Sequence, residues 1–448
     1  MTGRLRGALV RNSAWAVASS AVIALAILAE TIILARYLEP EELGVLLLVI
    51  AFPEAVQQLL DFRIKDAMTK YLSEFLTHDR PAHAVALVKM LWVIDVAVGA
   101  LALAIVLATA GLASNLFVDD PDASRLMSIY AIGMFFACLD SAAGSVLRVM
   151  DRFGLAFAAG TSGIAGRLSL VVLVVALGGG LEAIVWARVG GEVLLALLQG
   201  AASFAVLLPL LRRQGRAPIA VLGERRREIR SFLFHTNLTG VARMASAKLD
   251  TLLVGALASP AIVSFYKLGM QFGKAPALAT DALHVALFPS FARDFAQGRM
   301  RQIRDTARTA SVLVAAIMLP VLVLGGLFGE ELIVALAGDA FRDAATPMFL
   351  CLLGITPFVV FFWVPPLLLT TGHSGVLLRT VIAGVVVQLV ALVLLVPGLD
   401  ASGAALGFAL GSTLSVGLGL GYVLRERLLS ADGATAQPPT AVSHSASR

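Results

Sequence analysis

Charged residues are scarce in this sequence. Asp, Glu, Lys and Arg make up only 15% of its 448 residues, whereas soluble proteins carry about a quarter. Hydrophobic residues reach 58%, and the mean hydropathy is +0.88. A soluble core of this size does not need so much apolar surface. The composition therefore excludes a soluble protein and predicts an all-α integral membrane protein, since helices satisfy their own backbone hydrogen bonds in lipid.

Several kinds of chemistry are also missing from the sequence. It holds only two cysteines, Cys138 and Cys351, both inside apolar runs, which excludes a disulfide framework and a thiolate metal site. No Gly-rich phosphate loop ends in Lys and Ser or Thr, no His pair has metal-ligand spacing, and no Gly-x-Ser-x-Gly turn occurs. The sequence thus predicts a protein that is not an enzyme and needs no cofactor or metal. The mild net charge of +5 gives no reason to expect a nucleic-acid partner.

The apolar residues are arranged in stretches long enough to cross a membrane. A spanning helix needs about 20 residues, and the sequence predicts about twelve such helices. They cover roughly 13–35, 43–62, 86–112, 124–147, 155–177, 182–210, 231–257, 261–290, 306–328, 344–370, 375–396 and 401–423.

The basic residues lie mostly in alternate loops, the longest of which is the Arg-rich linker 211–230. The loop with Asp119, Asp120 and Asp122 is acidic and falls on the other side. Because cytoplasmic loops are enriched in Lys and Arg, we expect a multi-pass protein of the inner (plasma) membrane with both termini in the cytoplasm.

A shift of 220 residues brings the two halves of the chain into one register. Pro40 then falls on Pro260, Asp61 on Asp281, and Asp119 on Asp339. An even number of spans keeps the two copies in the same orientation, so the relating pseudo-twofold runs along the membrane normal. We expect two six-helix lobes, 1–210 and 231–429, joined by the basic cytoplasmic linker 211–230. The Ala-, Ser-, Thr- and Pro-rich tail 430–448 is expected to be disordered.

Ionisable residues inside the predicted spans are the candidate functional residues, because charges at this depth are costly and face the protein interior or a wet cavity. Lys267, Gln271 and Lys274 follow one another at helical spacing and predict a polar stripe that extends to Asp281. A basic stripe suits an anionic ligand. The candidate binding residues are Arg243, Lys248, Lys267, Gln271 and Lys274. The candidate coupling or gating residues are Glu30, Glu54, Asp95, Asp140, Asp250 and Asp281.

The same charges have a second interpretation, in which they form ion pairs that only fix helix packing. Arg188 and Glu192 lie four residues apart on one predicted span, so we expect them to pair with each other. Arg167 has no charged neighbour in sequence, and lining a cavity or bracing a helix are both open for it.

Two segments resemble a known family. Residues 34–44, LARYLEPEELG, resemble the L-A-R-x-L-x-P-x-x-x-G turn of polysaccharide flippases, which belong to the multidrug/oligosaccharidyl-lipid/polysaccharide exporter superfamily. Residues 248–255, KLDTLLVG, followed by Ser264, Phe265 and Tyr266, resemble the family's D-x-x-L-I-G … G-x-Y stretch that opens the second lobe, although Ser264 replaces the usual Gly.

The resemblance implies a flippase that moves polyprenyl-diphosphate-linked oligosaccharide for polysaccharide biosynthesis by alternating access. It implies a diphosphate site, for which Arg243, Lys248, Lys267 and Lys274 are candidates. The implied partners are the lipid-linked oligosaccharide, membrane lipids and the polymerase or glycosyltransferases of the same assembly, with the transporter itself a monomer. Two alternatives stay open: a cation-coupled multidrug exporter of the same superfamily, and a non-transporting scaffold of a polysaccharide assembly complex.

Overall fold

The computed structural model describes residues 21–214, 217–223, 225–233, 248–426 and 428. These residues are almost all helical, and no strand occurs among them. Eight of the described helical stretches are long and apolar enough to cross a membrane. The all-α membrane fold that the composition predicts is therefore confirmed. The number twelve stays a prediction, because the spans near 13–35 and 231–257 lie partly outside the described residues.

Contacts divide the chain into two compact units, Met1–Ser264 and Phe265–Arg448. Seven helices of the first unit matter for its candidate site. They are α1 (21–37), α2 (Pro40–Leu59), α3 (Pro81–Phe117), α4 (Pro121–Val149), α5 (Phe153–Ala176), α6 (Leu181–Gln214) and α7 (Leu249–Leu257).

The next helix, α8 (Pro260–Gly273), runs across the boundary between the two units. Six further helices of the described residues fall in the second unit. They are α9 (Ala275–Ala296), α10 (Met300–Leu327), α11 (Gly329–Ala337), α12 (Ala345–Val360), α13 (Val364–Thr370) and α14 (Ser374–Arg425). The last is two helices joined at Asp400, whose φ is 49°. This break agrees with the predicted boundary between the spans 375–396 and 401–423.

Two predicted spans are not single helices, and one of them, 344–370, divides into α12 and α13. The stretch 261–290 divides at Lys274, where α8 ends and α9 begins. Pro276 lies in the first turn of α9, where its missing N–H is tolerated but where it cannot continue a preceding helix. The spacing from Lys267 to Asp281 therefore does not describe one unbroken helical face.

The turn that carries the better family motif is a helix start. Glu39 caps α2 together with Glu42, whose carboxylate accepts from the Glu39 backbone N–H at 3.3 Å, and Pro40 occupies the first helical position. Pro is suited to this position, and acidic side chains in the first turn complement the positive end of the helix. Pro260, its counterpart in the 220-residue shift, begins α8 in the same way.

The cytoplasmic linker of the sequence prediction packs against the first unit. Leu222 and Ile229 are buried in a cluster with Tyr71 and Phe75, which come from the short helical segments between α2 and α3. Arg225 forms ion pairs with Glu74 and Glu228, and the Tyr71 hydroxyl donates to Glu228 at 3.2 Å. The segment between α2 and α3 thus braces this unit through a buried apolar face.

This attachment should loosen in acid. The hydrogen bond from Arg225 holds the pKa of Glu228 below its usual 4.5, so its contribution is present above that value and is lost as pH falls through the folded pKa. We expect amides in 225–233 to exchange faster with solvent at about pH 4 than at pH 7, after correction for the intrinsic pH dependence of exchange. The Glu228→Gln variant should already exchange fast at pH 7 and show little further change.

The motif glycine Gly44 allows α2 to approach the turn before α8. A Cβ at this position would lie 1.8 Å from the Pro260 carbonyl oxygen and 2.9 Å from Pro260 Cα, both backbone atoms. The Glu41 carboxylate accepts from the Ala261 backbone N–H at 3.1 Å across the same contact. A Cβ on Gly255, the glycine of the second motif, would lie 2.9 Å from the Phe117 backbone oxygen and 2.5 Å from the side chain of Leu48.

Gly44→Ala should therefore strongly destabilise the folded protein. Backbone atoms cannot rotate away, so the helices must separate, and overpacking of this kind costs about 1–3 kcal/mol or more. We expect a low yield of monodisperse protein in detergent and a lowered melting temperature. Gly111→Ala in α3 is the matched control, because its Cβ would meet nothing within 4 Å and Ala favours a helix. Equal behaviour of the two variants would contradict the close approach.

Candidate functional site: an ionic cluster in the first unit

Charged side chains from separate parts of the first unit meet in its interior. Glu30 comes from α1, Glu54 from α2, Arg167 from α5, and Arg188 with Glu192 from α6, while Lys248 precedes α7. We call these six residues the ionic cluster. They belong to predicted membrane spans, where such groups are rare and have to be partnered.

Glu30 lies at the buried end of the cluster and pairs with two arginines. Its Oε2 is 3.0 Å from Arg167 Nη2, and its Oε1 is 3.2 Å from Arg188 Nη1. Arg167 uses its other terminal nitrogen to donate to Glu192 Oε1 at 3.0 Å. The planar fork of this arginine thus joins a carboxylate of α1 to one of α6, which a lysine with its single charge centre cannot reproduce.

Small residues on α6 and α5 allow Arg167 to reach this position. A Cβ on Gly191 would lie 2.9 Å from Arg167 Cα, and one on Gly163 would lie 2.8 Å from Leu195 Cα. Glycine at these points lets two helix backbones pack closely. The sequence of α5 and α6 therefore provides both the charges and the close approach that brings them together.

The pair of Lys248 with Glu54 forms the more accessible edge of the cluster. Their side chains are 27% and 23% exposed, compared with 5% for Glu30. Tyr130 of α4 donates its hydroxyl to the second oxygen of Glu54 at 3.2 Å. Both arginines lie within electrostatic range of Tyr130, so this tyrosine connects the edge with the buried end.

The ionic cluster is balanced in charge, since three acidic and three basic side chains form it. A balanced buried cluster does not attract an anion as strongly as an isolated cation. It can bind one by exchange, when a phosphate replaces a carboxylate beside a basic side chain, because both accept the same charge-assisted hydrogen bonds. The exposed edge, with Lys248, is where such an exchange meets the least obstruction.

The structure corrects one predicted pair. Arg188 and Glu192 do not pair with each other: Arg188 pairs with Glu30, and Glu192 pairs with Arg167. The local spacing of four residues allowed a pair on one helix, but the close packing of α5 and α6 offers each side chain a partner on another helix. Arg167 contributes to packing by joining three helices.

Three further acidic candidates of the first unit are not among the six residues of the ionic cluster. Asp95 and Asp140 are largely buried, and one carboxylate oxygen of each has no hydrogen-bond partner. Asp250 is fully buried, and its Oδ1 accepts from the backbone N–H and hydroxyl of Thr251 at 2.6 and 3.0 Å. These two bonds join Asp250 to the next residue at the start of α7.

The remaining binding candidates belong to the second unit or lie outside the described residues. Lys274 holds its Nζ 3.9 Å from the centre of the Phe408 ring, a cation–π contact. Lys267 has its Nζ 3.9 Å from Met270 Sδ, and Gln271 is partly exposed one turn further along α8. Arg243 lies outside the described residues, as does the side chain of Asp281.

Sequence reasoning missed part of this site. Arg167, Arg188 and Glu192 were recognised as intramembrane charges but not assigned to the same site as Glu30 and Glu54, and Tyr130 gave no signal at all. A useful signal was present in Arg167, Arg188 and Glu192, which are ionisable residues inside the apolar stretches of α5 and α6. What the sequence lacks is the information that these helices face α1.

Comparison with known protein families identifies the chain. The sequence profile of a family described as polysaccharide biosynthesis protein matches residues 33–346. No curated protein sequence matches the chain.

Solved structures with the same fold cover nearly the whole chain. An inward-facing multidrug resistance MATE family transporter of the MOP superfamily has a TM-score of 0.72 and 14% identity, over 92% of this chain and 96% of that one. The lipid II flippase MurJ, in an inward closed conformation, has a TM-score of 0.70 and 13% identity, over 93% and 87%. A MOP superfamily transporter from Pyrococcus furiosus, described with a binding pocket of reversed polarity, has a TM-score of 0.60 and 16% identity, over 94% and 96%. At these identities the likeness shows the fold.

Proposed function

Because the chain belongs to the family of polysaccharide biosynthesis proteins, we propose that it flips a polyprenyl-diphosphate-linked oligosaccharide across the inner membrane. It does so as a monomer, by alternating access, with both termini in the cytoplasm. The polymerase and glycosyltransferases of the pathway supply and consume its substrate. The lipid tail stays in the bilayer while the diphosphate and the glycan cross through the protein.

The observation that carries this proposal is a likeness in fold to a lipid II flippase, which extends over 93% of the chain. The family of the chain is described by polysaccharide biosynthesis. A flippase for a lipid-linked precursor satisfies both descriptions. A scaffold without transport would not need a transporter fold or a buried ionic cluster, whose charges are expensive to keep within a membrane.

The diphosphate needs basic groups at membrane depth, and the ionic cluster supplies an exchangeable one. Lys248 is held by Glu54 at the accessible edge, so an arriving phosphate oxygen can take the place of that carboxylate. Glu54 then keeps its bond from Tyr130. In the second unit, Lys267, Gln271 and Lys274 are the proposed further contacts. Binding and release then follow the gain and loss of one ion pair.

The test is the sidedness of the lipid-linked oligosaccharide in a strain that lacks this gene. We expect it to accumulate on the cytoplasmic leaflet, inaccessible to an external lectin or enzyme probe, while surface polysaccharide is lost. The wild-type gene should restore both, and Lys274→Ala should restore them poorly. Normal outward display in the deletion strain, with no second flippase gene present, would refute the proposal.

A second candidate function is a cation-coupled multidrug exporter. It is favoured by the MATE transporter with a TM-score of 0.72 and by the buried carboxylates of the first unit, with Glu30, Asp95 and Asp140 as the residues that would exchange protons. Increased drug resistance on expression, without any glycan defect on deletion, would support this function instead.

A further inference from the structure

A polar cavity lies in the first unit where α2 ends, and none of its lining residues belongs to the ionic cluster. Its volume is about 170 Å³. The polar residues that line it are Gln57, Gln58, Asp61, Asp95 and Cys138. No Lys or Arg occurs among the described lining residues, so the cavity differs in charge from the balanced ionic cluster.

Asp95 is the lining residue whose surroundings point most directly to a bound ligand. It projects from α3 with only 6% of its surface exposed, and its Oδ2 is buried without a hydrogen-bond partner. An ionised carboxylate in this condition is costly, since burial removes its hydration and no donor replaces it. Asp61 lies close enough to act on Asp95 electrostatically, and the repulsion between two carboxylates adds to that cost. A bound cation would remove both penalties.

The neighbouring groups offer oxygen ligands. Gln57 donates its amide nitrogen to Cys138 Sγ at 3.1 Å, which leaves the amide carbonyl oxygen as an acceptor. Gln58 adds a second amide, and Asp61 is held at the turn by the Arg63 backbone N–H, which donates to its Oδ1 at 2.7 Å. Carboxylate and amide oxygens are the ligands that hard cations prefer, and the space is sufficient for the ion to keep some water.

We propose that this cavity binds a small hard cation, for which Na⁺ is the natural probe. The site does not depend on which substrate the protein carries. Its position gives it a route to the ionic cluster: Glu54, Gln57 and Gln58 lie three and four residues apart on α2 and share one face of that helix. A cation that binds Gln57 and Gln58 also fixes the turn of α2 that presents Glu54 to Lys248.

The experiment measures ²²Na⁺ binding to the purified full-length protein in detergent, with no substrate present. We expect one saturable site, displaced by excess unlabelled Na⁺, and a rise in melting temperature with Na⁺ because a ligand that binds only the folded state stabilises it. Asp95→Asn and Asp61→Asn should each weaken binding by at least about tenfold. Excess Ca²⁺ in a parallel competition distinguishes a divalent from a monovalent preference within the same site.

The variants also distinguish a loss of cation binding from a loss of the folded structure. Asp95→Asn removes a buried, unsatisfied charge, so without Na⁺ its melting temperature should equal or exceed that of the wild type. Asp122→Asn, which changes an exposed carboxylate at the start of α4, should bind ²²Na⁺ like the wild type. The proposal is wrong if neither ²²Na⁺ nor ⁴⁵Ca²⁺ binds saturably, or if binding survives in folded Asp95→Asn protein. Either result would leave the flippase proposal intact.

Discussion

Arg167→Met should destabilise the protein by about 3–5 kcal/mol, the range observed when one partner of a buried ion pair is removed. Glu192 would lose its hydrogen bond from Arg167, and Glu30 would keep only Arg188. Both carboxylates are largely buried, so water cannot replace the missing donor. The change is measured as the shift of the unfolding transition in detergent, and we expect export of polysaccharide to be lost with it.

A second substitution tests whether the unpaired carboxylate of Glu192 causes the lost stability. In Arg167→Met with Glu192→Gln, the carboxylate without a partner is gone, so a large part of the lost stability should return. Arg125→Met is the matched control, because Arg125 pairs with Glu182 at 2.7 Å while its side chain is 69% exposed. Exposed pairs contribute about 0–1 kcal/mol. If Arg125→Met were as harmful as Arg167→Met, burial would not be the cause.

Lys248→Gln should reduce export about 10- to 100-fold, as expected for the loss of one charge-assisted hydrogen bond to the substrate. The protein should still fold, because Glu54 lies at the accessible edge of the ionic cluster and keeps its bond from Tyr130. Export is measured as surface polysaccharide in the complemented deletion strain, at equal amounts of membrane-inserted protein.

Glu54→Gln provides the contrast for this prediction. It removes the carboxylate that competes with the diphosphate for Lys248, so we expect the concentration of substrate needed for half-maximal transport to fall, while the Lys248→Gln variant should need more. Opposite shifts in reconstituted vesicles would assign Lys248 to substrate binding. Equal losses of rate in both variants would mean that the pair only stabilises the packing of α2.

Much of the fold could be predicted because membrane spans follow from composition. The predicted spans 155–177 and 182–210 agree closely with α5 and α6, since long apolar stretches must form helices in lipid. The break at Lys274 was not predicted as the end of a helix. Gly273 and Pro276 flank this break in the sequence, but a proline inside a span can equally produce a kink within one continuous helix.

The candidate site was predicted in its residue types and only partly in its arrangement. Glu30, Glu54 and Lys248 were selected because isolated charges stand out in apolar spans, and the structure brings them into one ionic cluster. Arg188 was assigned the wrong partner, since sequence spacing reveals neighbours on the same helix and not those on the next one. Asp95 was selected as well, although its cavity beside Asp61 and Gln57 could not be predicted.

The class of protein, the position of most spans and the ionisable residues inside them follow from the sequence, because burial in lipid imposes rules that act on local composition. Which of these charges are partners depends on the tertiary structure. A close approach such as that of Gly191 to Arg167 depends on how two helices pack. Ion pairs form only over a few ångströms. A small change in helix packing therefore decides whether a basic side chain has an acidic partner or is left as an unpaired cation.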